Sequence, residues 1–385
     1  MIYMDHSATT PMREEVLEAM LPYFTEQPGN ASSVHAAGRS ARRTVEAARE
    51  EIASLLGAAP DEIIFTSGGT ESDNLAVRGV AAAGRDGARH LVTCAVEHEA
   101  VLNTCRALAG DGFEVTVLPV DEHGMVAPDD LRRAIRPDTA LVSVMTANNE
   151  VGTIQPVREL AAIAADASVP FHTDAVQAIG KMPINVEDLR VDLLSVSAHK
   201  FHGPKGVGVL YVRSGTAMEP TQTGGHHEAG RRAGTENVPG IVGMARALAL
   251  ACEEMTEEVP RLRALRDRLQ EGLMQRVARV RLNGHPAERL PHILNLSFPN
   301  AEGESLLLSL DAAGVAVSTG SACTSGTLEP SHVLTAMGVP PETAHGSLRF
   351  SLGRGNTAEH VDYVLEKLPP IVERLREMSP LPDVR

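Results

Sequence analysis

Short apolar runs alternate with amphipathic helical stretches through the first two thirds of the chain, and this alternation restricts the fold more than any other feature. Residues 62–67 read as a strand, as do 90–95, 114–120, 140–147, 169–174, 193–198 and 206–212. The clearest helix between them covers 39–56. It places Val45, Ala48, Ile52, Leu55 and Leu56 on one face and stops at Gly57. Seven such runs separated by helices predict an α/β fold, a large, mostly parallel seven-stranded sheet covered on both faces. After about residue 254 the texture changes. A charged helix over 258–277 leads into a strand at 292–298, a helix at 304–313 and a strand at 315–319. A Gly/Ser/Thr loop, a helix at 331–337, a strand at 347–352 and a helix at 358–378 close the chain. The reading is a large domain over 14–254 and a smaller α+β domain made of 1–13 with 255–385. A length of 385 residues accommodates two domains.

Charge and cysteine usage exclude several classes of function. Lys and Arg number 35 against 50 Asp and Glu, a net charge of −15. Such a chain is poorly suited to wrapping nucleic-acid phosphates or lying on an anionic membrane. The N-terminus lacks the basic and apolar regions of a signal peptide, and no apolar run approaches 18 residues. The four cysteines, Cys94, Cys105, Cys252 and Cys323, form no C-x-x-C pair. Together these features point to a soluble protein of a reducing cytoplasm.

Three segments carry candidate chemistry. Phe65-Thr-Ser-Gly-Gly-Thr-Glu-Ser-Asp-Asn74 joins a strand to a helix. Gly68 and Gly69 allow a tight turn, and with Thr70 they offer N–H and hydroxyl groups at a helix N-terminus, an anion site. Lys200, in Ser197-Ala-His-Lys-Phe-His-Gly203, follows a buried-type strand. At the carboxyl end of a strand in an open α/β sheet a side chain meets the ligand crevice. A lysine desolvated there becomes a competent Schiff-base amine. Asp174 ends another such strand, where it either caps the next helix or holds a pyridine nitrogen protonated. A Schiff-base lysine, a carboxylate for a ring nitrogen and a phosphate cradle are together what pyridoxal phosphate requires.

These residues resemble a known family, the cysteine desulfurases of the nitrogen-fixation and iron–sulfur-cluster type, in the class V branch of fold-type-I pyridoxal phosphate enzymes. The resemblance runs from Asp5-His-Ser-Ala-Thr-Thr-Pro11 to Arg349-Phe-Ser-Leu-Gly-Arg354. It includes Ser67-Gly-Gly-Thr-Glu71, Glu97-His98, Asn148-Asn-Glu-Val-Gly152, His172-Thr-Asp-Ala-Val-Gln177, Ser197-Ala-His-Lys200 and Arg232-Ala-Gly-Thr-Glu-Asn237. It implies pyridoxal 5'-phosphate as cofactor, bound in the larger domain. By resemblance, Lys200 forms the Schiff base, Asp174 contacts the pyridinium nitrogen and His98 stacks on the ring and takes part in proton transfer. Gln177 bonds the ring's phenolic oxygen, and Gly69, Thr70, Ser197 and His199 hold the phosphate. Thr235 reaches the phosphate from the partner subunit, which implies a homodimer. Asn149 and Asn30 lie near the substrate.

The cysteines separate by context. Cys94 sits in a strand pattern and Cys105 and Cys252 in helical ones, positions for small buried hydrophobes. Cys323 lies in Ser318-Thr-Gly-Ser-Ala-Cys-Thr-Ser-Gly-Thr-Leu-Glu-Pro330, small and polar, where a thiol is accessible for nucleophilic use. In the resembled family this loop carries the sulfur acceptor. Alternation across Gly346-Ser-Leu-Arg-Phe-Ser-Leu352 sets Ser347, Arg349 and Ser351 on one face, and an Arg there suits a carboxylate. By resemblance that carboxylate belongs to L-cysteine. The implied reaction gives alanine and a persulfide on Cys323, for transfer to an iron–sulfur scaffold or another acceptor protein, with transient cluster contact through Cys323. The chain departs from the family at His227 and Ala229, where Gln and Arg are common. His226, His227 and Glu228 lack H-E-x-x-H spacing, so no metal site is expected. Two competing readings remain at this stage: another class V activity (selenocysteine lyase or aminotransferase), and a non-catalytic scaffold-docking partner.

Overall fold

The computed structural model describes residues 1–84, 87–319 and 330–379. A seven-stranded sheet runs from edge to edge as Ile63–Thr66, Gly208–Val212, Leu193–Ser197, Phe171–Asp174, Thr139–Ser143, His90–Cys94 and Glu114–Leu118. Only Gly208–Val212 runs against its neighbours; the remaining pairings are parallel. Six carboxyl ends therefore lie along one edge of the sheet. This is the mostly parallel seven-stranded sheet expected from the sequence.

The six strands other than the edge strand Glu114–Leu118 are buried along their length because both faces are covered. Ile63 and Phe65 enter one hydrophobic cluster and Ile64 the other. Val92 and Leu91, Val142 and Leu141, and Val209 and Leu210 divide the same way, as a two-residue period requires. One face carries the helix Ala36–Leu56, which buries Val45, Ala48, Ile52 and Leu56 and ends on left-handed Gly57. The other face carries the helices Gly69–Ala82 and Glu99–Gly110 through Leu75, Val80, Val101 and Leu108.

A third cluster forms around an antiparallel sheet ordered Ser318–Thr319, Ser347–Ser351, Ile293–Ser297 and Arg281–Asn283. Leu348, Phe350 and Leu352 pack there against Leu294, Leu296 and the helix Ala358–Met378. The N-terminal strand Ile2–Tyr3 joins this region by pairing in parallel with Val315–Ala316. The charged helix expected over 258–277 and the helical pattern around Cys252 are parts of one helix, Val238–Arg276, with Pro260 inside it. Its first half, through Leu250, buries residues in the large cluster, and its second, from Leu262, in the small one. The change of texture near 254 marks this exchange of cores along an unbroken helix. Among the described residues, no helix is long and apolar enough to cross a membrane.

Candidate active site

The strand ends bring Asp174, Lys200 and His98 into mutual electrostatic range. Asp174 is the last residue of its strand and is buried, and its Oδ1 accepts the Val176 N–H at 2.8 Å. Burial pushes its carboxyl above the usual range, while His98 and Lys200 pull it back. Lys200 closes the single turn Ala198–Lys200 that follows Leu193–Ser197. Its Nζ donates to the Ser7 carbonyl at 2.5 Å and the Ala8 carbonyl at 2.9 Å. His98 caps the helix Glu99–Gly110, with Nδ1 accepting the Ala100 N–H at 3.1 Å. Burial lowers its pKa. A neutral ring with Nδ1 as acceptor carries its proton on Nε2, the edge left for chemistry.

The glycine turn beside these groups is shaped for close approach. Gly68 has φ 151°, and the first intrahelical bond runs from the Ser72 N–H to its carbonyl. The N–H groups of Gly69, Thr70 and Glu71 therefore lack intrahelical acceptors at the positive end of the helix. A Cβ on Gly208 would stand 2.7 Å from the Gly68 Cα, and one on Gly69 would stand 2.9 Å from Val176 Cγ2. Ser197 is buried against this turn and Thr70 is exposed on it. His199 bonds Thr9 Oγ1 at 3.1 Å, and burial beside Lys200 and Lys205 holds its pKa down to about 4. Thus free N–H groups and the Ser197 side chain meet at the glycine turn, and His199 follows two residues after Ser197 with its own bond to Thr9.

Gln177 is buried and donates to the Ser7 carbonyl at 2.9 Å, the acceptor that Lys200 also uses. Asn148 holds its loop by donating to Val96 O and accepting from the Glu150 and Val151 N–H groups. Buried Asn149 presents its carbonyl to Arg349 Nη1 at 3.0 Å. Asn30 and Thr235 are both exposed, and no hydrogen bond among the described residues links either to this group. Cys323 lies outside the described residues. Burial raises the thiol pKa of Cys252, of Cys105 to about 12 and of Cys94 well above the ordinary range, so none of these three is a thiolate at neutral pH.

Glu97 enters the sequence only as part of the Glu97-His98 motif, with no role assigned to it. Glu97 is fully buried, its Oε1 accepting from the Met145 N–H at 2.5 Å and from Cys94 Sγ at 3.4 Å. Burial, with Asp174 nearby, pushes its carboxyl up to about 8. An acidic residue beside a histidine reads as solvated surface until the fold buries it. The sign of the effect follows from linkage. The folded protein keeps a proton that the unfolded chain releases, so this group's contribution is complete below the ordinary value of 4.5 and is lost as pH rises toward 8. Compared with Glu97→Gln, the parent is expected to lose about 3 kcal/mol of stability between pH 4.5 and 7. Denaturant unfolding of both proteins at the two pH values measures this. A difference that does not change with pH would contradict it.

The residue between the departures at His227 and Ala229 has a structural role. Glu228, between them at φ 48°, forms a two-pronged pair with buried Arg49, both contacts 2.8 Å. The same carboxylate accepts the Phe65 N–H at 2.9 Å, just before the glycine turn. Arg232 holds Glu71 at 2.7 Å, and Glu71 in turn accepts the Ser67 N–H at 2.7 Å. Two ion pairs thus fix both flanks of the cradle.

Comparison with known proteins agrees with this geometry. The aminotransferase class-V family model matches residues 2–364. The cysteine desulfurase IscS of Methanosarcina thermophila is 58% identical over 380 residues, 99% of this chain and 94% of its own. A solved NifS-like protein superposes with a TM-score of 0.91 at 43% identity, covering 97% of this chain and 99% of its own. A structure of SspA in complex with cysteine superposes with a TM-score of 0.82 at 36% identity, covering 91% and 99%. The chain belongs to the aminotransferase class-V family. Within that family it is a cysteine desulfurase.

Proposed function

We propose that the chain removes sulfur from L-cysteine with pyridoxal 5'-phosphate, leaving alanine and a persulfide on Cys323 for delivery to acceptor proteins that assemble iron–sulfur clusters. The observation that carries this reading is the convergence of Lys200, Asp174 and the glycine cradle at adjacent strand ends. The donor set fits the cofactor. Asp174 is buried with one carboxylate oxygen bonded to Val176, which leaves the other for a protonated ring nitrogen. The cradle offers first-turn N–H groups, Thr70, Ser197 and His199 to a phosphate. Lys200 supplies the amine for a Schiff base, and His98 and Gln177 complete the ring's surroundings. When bound, pyridoxal phosphate supplies an electron sink for the electrons released at the substrate Cα.

The chain's own groups do the remaining work. Arg349 binds the substrate α-carboxylate, with Asn149 beside it. Lys200 Nζ takes the Cα proton, and His98 Nε2 handles a proton on the other side. The Cys323 thiolate attacks the substrate sulfur. An S–S bond forms, the Cβ–S bond breaks, and the three-carbon remainder leaves as alanine. In this reading the working unit is a homodimer in which Thr235, exposed in the single chain, serves the phosphate of the partner subunit. The acidic net charge of −15 and the lack of a long apolar helix among the described residues fit a cytoplasmic site of action.

Product analysis tests the reaction. The holoenzyme given L-cysteine and a reductant is expected to release alanine and sulfide in equal amounts. A keto acid in place of alanine would assign an aminotransferase instead.

A further inference from the structure

Arg349 is the largest side chain that is almost wholly buried, 2% exposed at the centre of the strand Ser347–Ser351. A guanidinium in such a place must be held, because its plane decides what it binds. Nη1 donates to the Asn149 carbonyl at 3.0 Å and Nη2 to Asp5 Oδ1 at 2.9 Å. One N–H remains on each terminal nitrogen, the pair that a carboxylate engages side by side. Nε is buried and has no acceptor among the described residues, so the hydrogen bonds that orient the guanidinium are those of Nη1 and Nη2.

Asp5 is itself firmly built. The Ser351 N–H donates to the Met4 carbonyl, and the Met4 N–H to the Ala316 carbonyl. The Asp5 carbonyl accepts from the Ala8 N–H and from the Tyr3 hydroxyl, each at 3.0 Å. Its Oδ1 accepts Ser318 Oγ at 2.9 Å as well as Arg349. The turn that Asp5 opens also presents the Ser7 and Ala8 carbonyls to Lys200 Nζ. A single short turn therefore fixes the arginine through its first side chain and the lysine through its third and fourth carbonyls.

We propose that Asp5 is the positioning residue for substrate carboxylate recognition, setting the Arg349 plane in register with Lys200. The inference rests on the reading of Arg349 as the carboxylate site. It adds a residue that touches no substrate and acts through another. Its value lies in register: the reacting Cα must sit within reach of Nζ, and displacements near 1 Å cost about 100-fold in rate.

The test uses the holoenzyme, titrated with L-alanine and with ethylamine while the cofactor absorption is followed. The two ligands differ only in the carboxylate. In Asp5→Ala the dissociation constant for L-alanine is expected to rise about tenfold or more, the loss of one charge-assisted hydrogen bond. The constant for ethylamine should stay within about twofold of the parent's, less than half of the tenfold step that 1.4 kcal/mol represents. Asp5→Asn keeps an acceptor oxygen in place and should recover most of the L-alanine affinity. Asp5→Glu keeps the charge but shifts it by a methylene, and serves if the alanine variant does not fold. It should lose L-alanine affinity and spare ethylamine. Combining Asp5→Ala with Arg349→Lys should be no worse than Arg349→Lys alone. Equal losses for both ligands, or additive losses in the double variant, would overturn the proposal. If Arg349→Lys itself leaves L-alanine binding unchanged, the carboxylate assignment fails first. If Arg349→Lys weakens binding and Asp5→Ala does not, only the role of Asp5 falls.

Discussion

Lys200→Ala is expected to give a folded protein that turns over L-cysteine about four orders of magnitude more slowly than the parent, the combined loss of a covalent anchor and a proton acceptor. The fold should survive. Lys200 is only half-buried, and its Nζ donates to the Ser7 and Ala8 carbonyls. Ser7 keeps its bond from Gln177, so one carbonyl loses its partner, at a cost of about 1 kcal/mol. Cofactor affinity should fall but not vanish, because the glycine cradle and Asp174 are untouched. The sharper readout is covalent. Borohydride fixes pyridoxal phosphate to the parent, and no fixation is expected in the variant. The other described lysines serve as controls. Lys205 is exposed in the following turn, Lys181 is buried beside Glu258 and Arg261, and Lys367 pairs with Glu366 on the last helix. A variant that still fixed the cofactor, or kept a tenth of parental turnover, would remove Lys200 from its assigned place.

How far the sequence revealed this arrangement depended on whether a feature was local. Seven apolar runs predicted seven strands because burial on both faces leaves an uninterrupted hydrophobic signature. Alternation placed Arg349 opposite Leu348 and Phe350, and the structure has the two leucine-side residues in the small core with Arg349 facing Asn149 and Asp5. Lys200 and Asp174 were legible because strand ends in such a sheet face the crevice. The strands Ile2–Tyr3 and Arg281–Asn283 were not read, since two or three residues carry no period. The Asp5–Arg349 pair spans 344 residues, and the Arg49–Glu228 pair spans 179. No local pattern reports contacts of that kind. Glu97 is part of a recognisable motif, but its protonated state is not legible for a related reason: only burial distinguishes it from a surface acid. The long helix Val238–Arg276 is legible in sequence as a charged helix only from 258 onward, with a helical pattern around Cys252 before it, because its apolar face changes partner midway.

Cys323→Ser is expected to lower sulfide release by about three orders of magnitude or more while the absorption of the bound cofactor stays as in the parent, since a serine hydroxyl is no substitute for a thiolate nucleophile. Elimination supports the assignment. Cys94 and Cys105 are buried, Cys252 is half-buried, and burial raises all three thiols. Placement of the flanking residues supports it too. On one side Ser318 donates to Asp5, the partner of Arg349. On the other, Ser331 bonds Glu150 in the loop that carries Asn149, and His332 Nε2 meets the Glu97 carbonyl at 2.9 Å, one residue from His98. Ser318 and Ser331, which flank Cys323 in the sequence, are therefore tied to the loops that carry Asp5 and Asn149. Serine in place of Cys94, Cys105 or Cys252 should leave the rate of sulfur transfer within about threefold, although buried substitutions cost stability. Trapping completes the measurement. A parent enzyme treated with L-cysteine and then with an alkylating reagent should carry one extra sulfur, lost on reduction, on the peptide containing Cys323. Sulfide release by Cys323→Ser at the parental rate, or the extra sulfur on any other cysteine, would move the acceptor elsewhere.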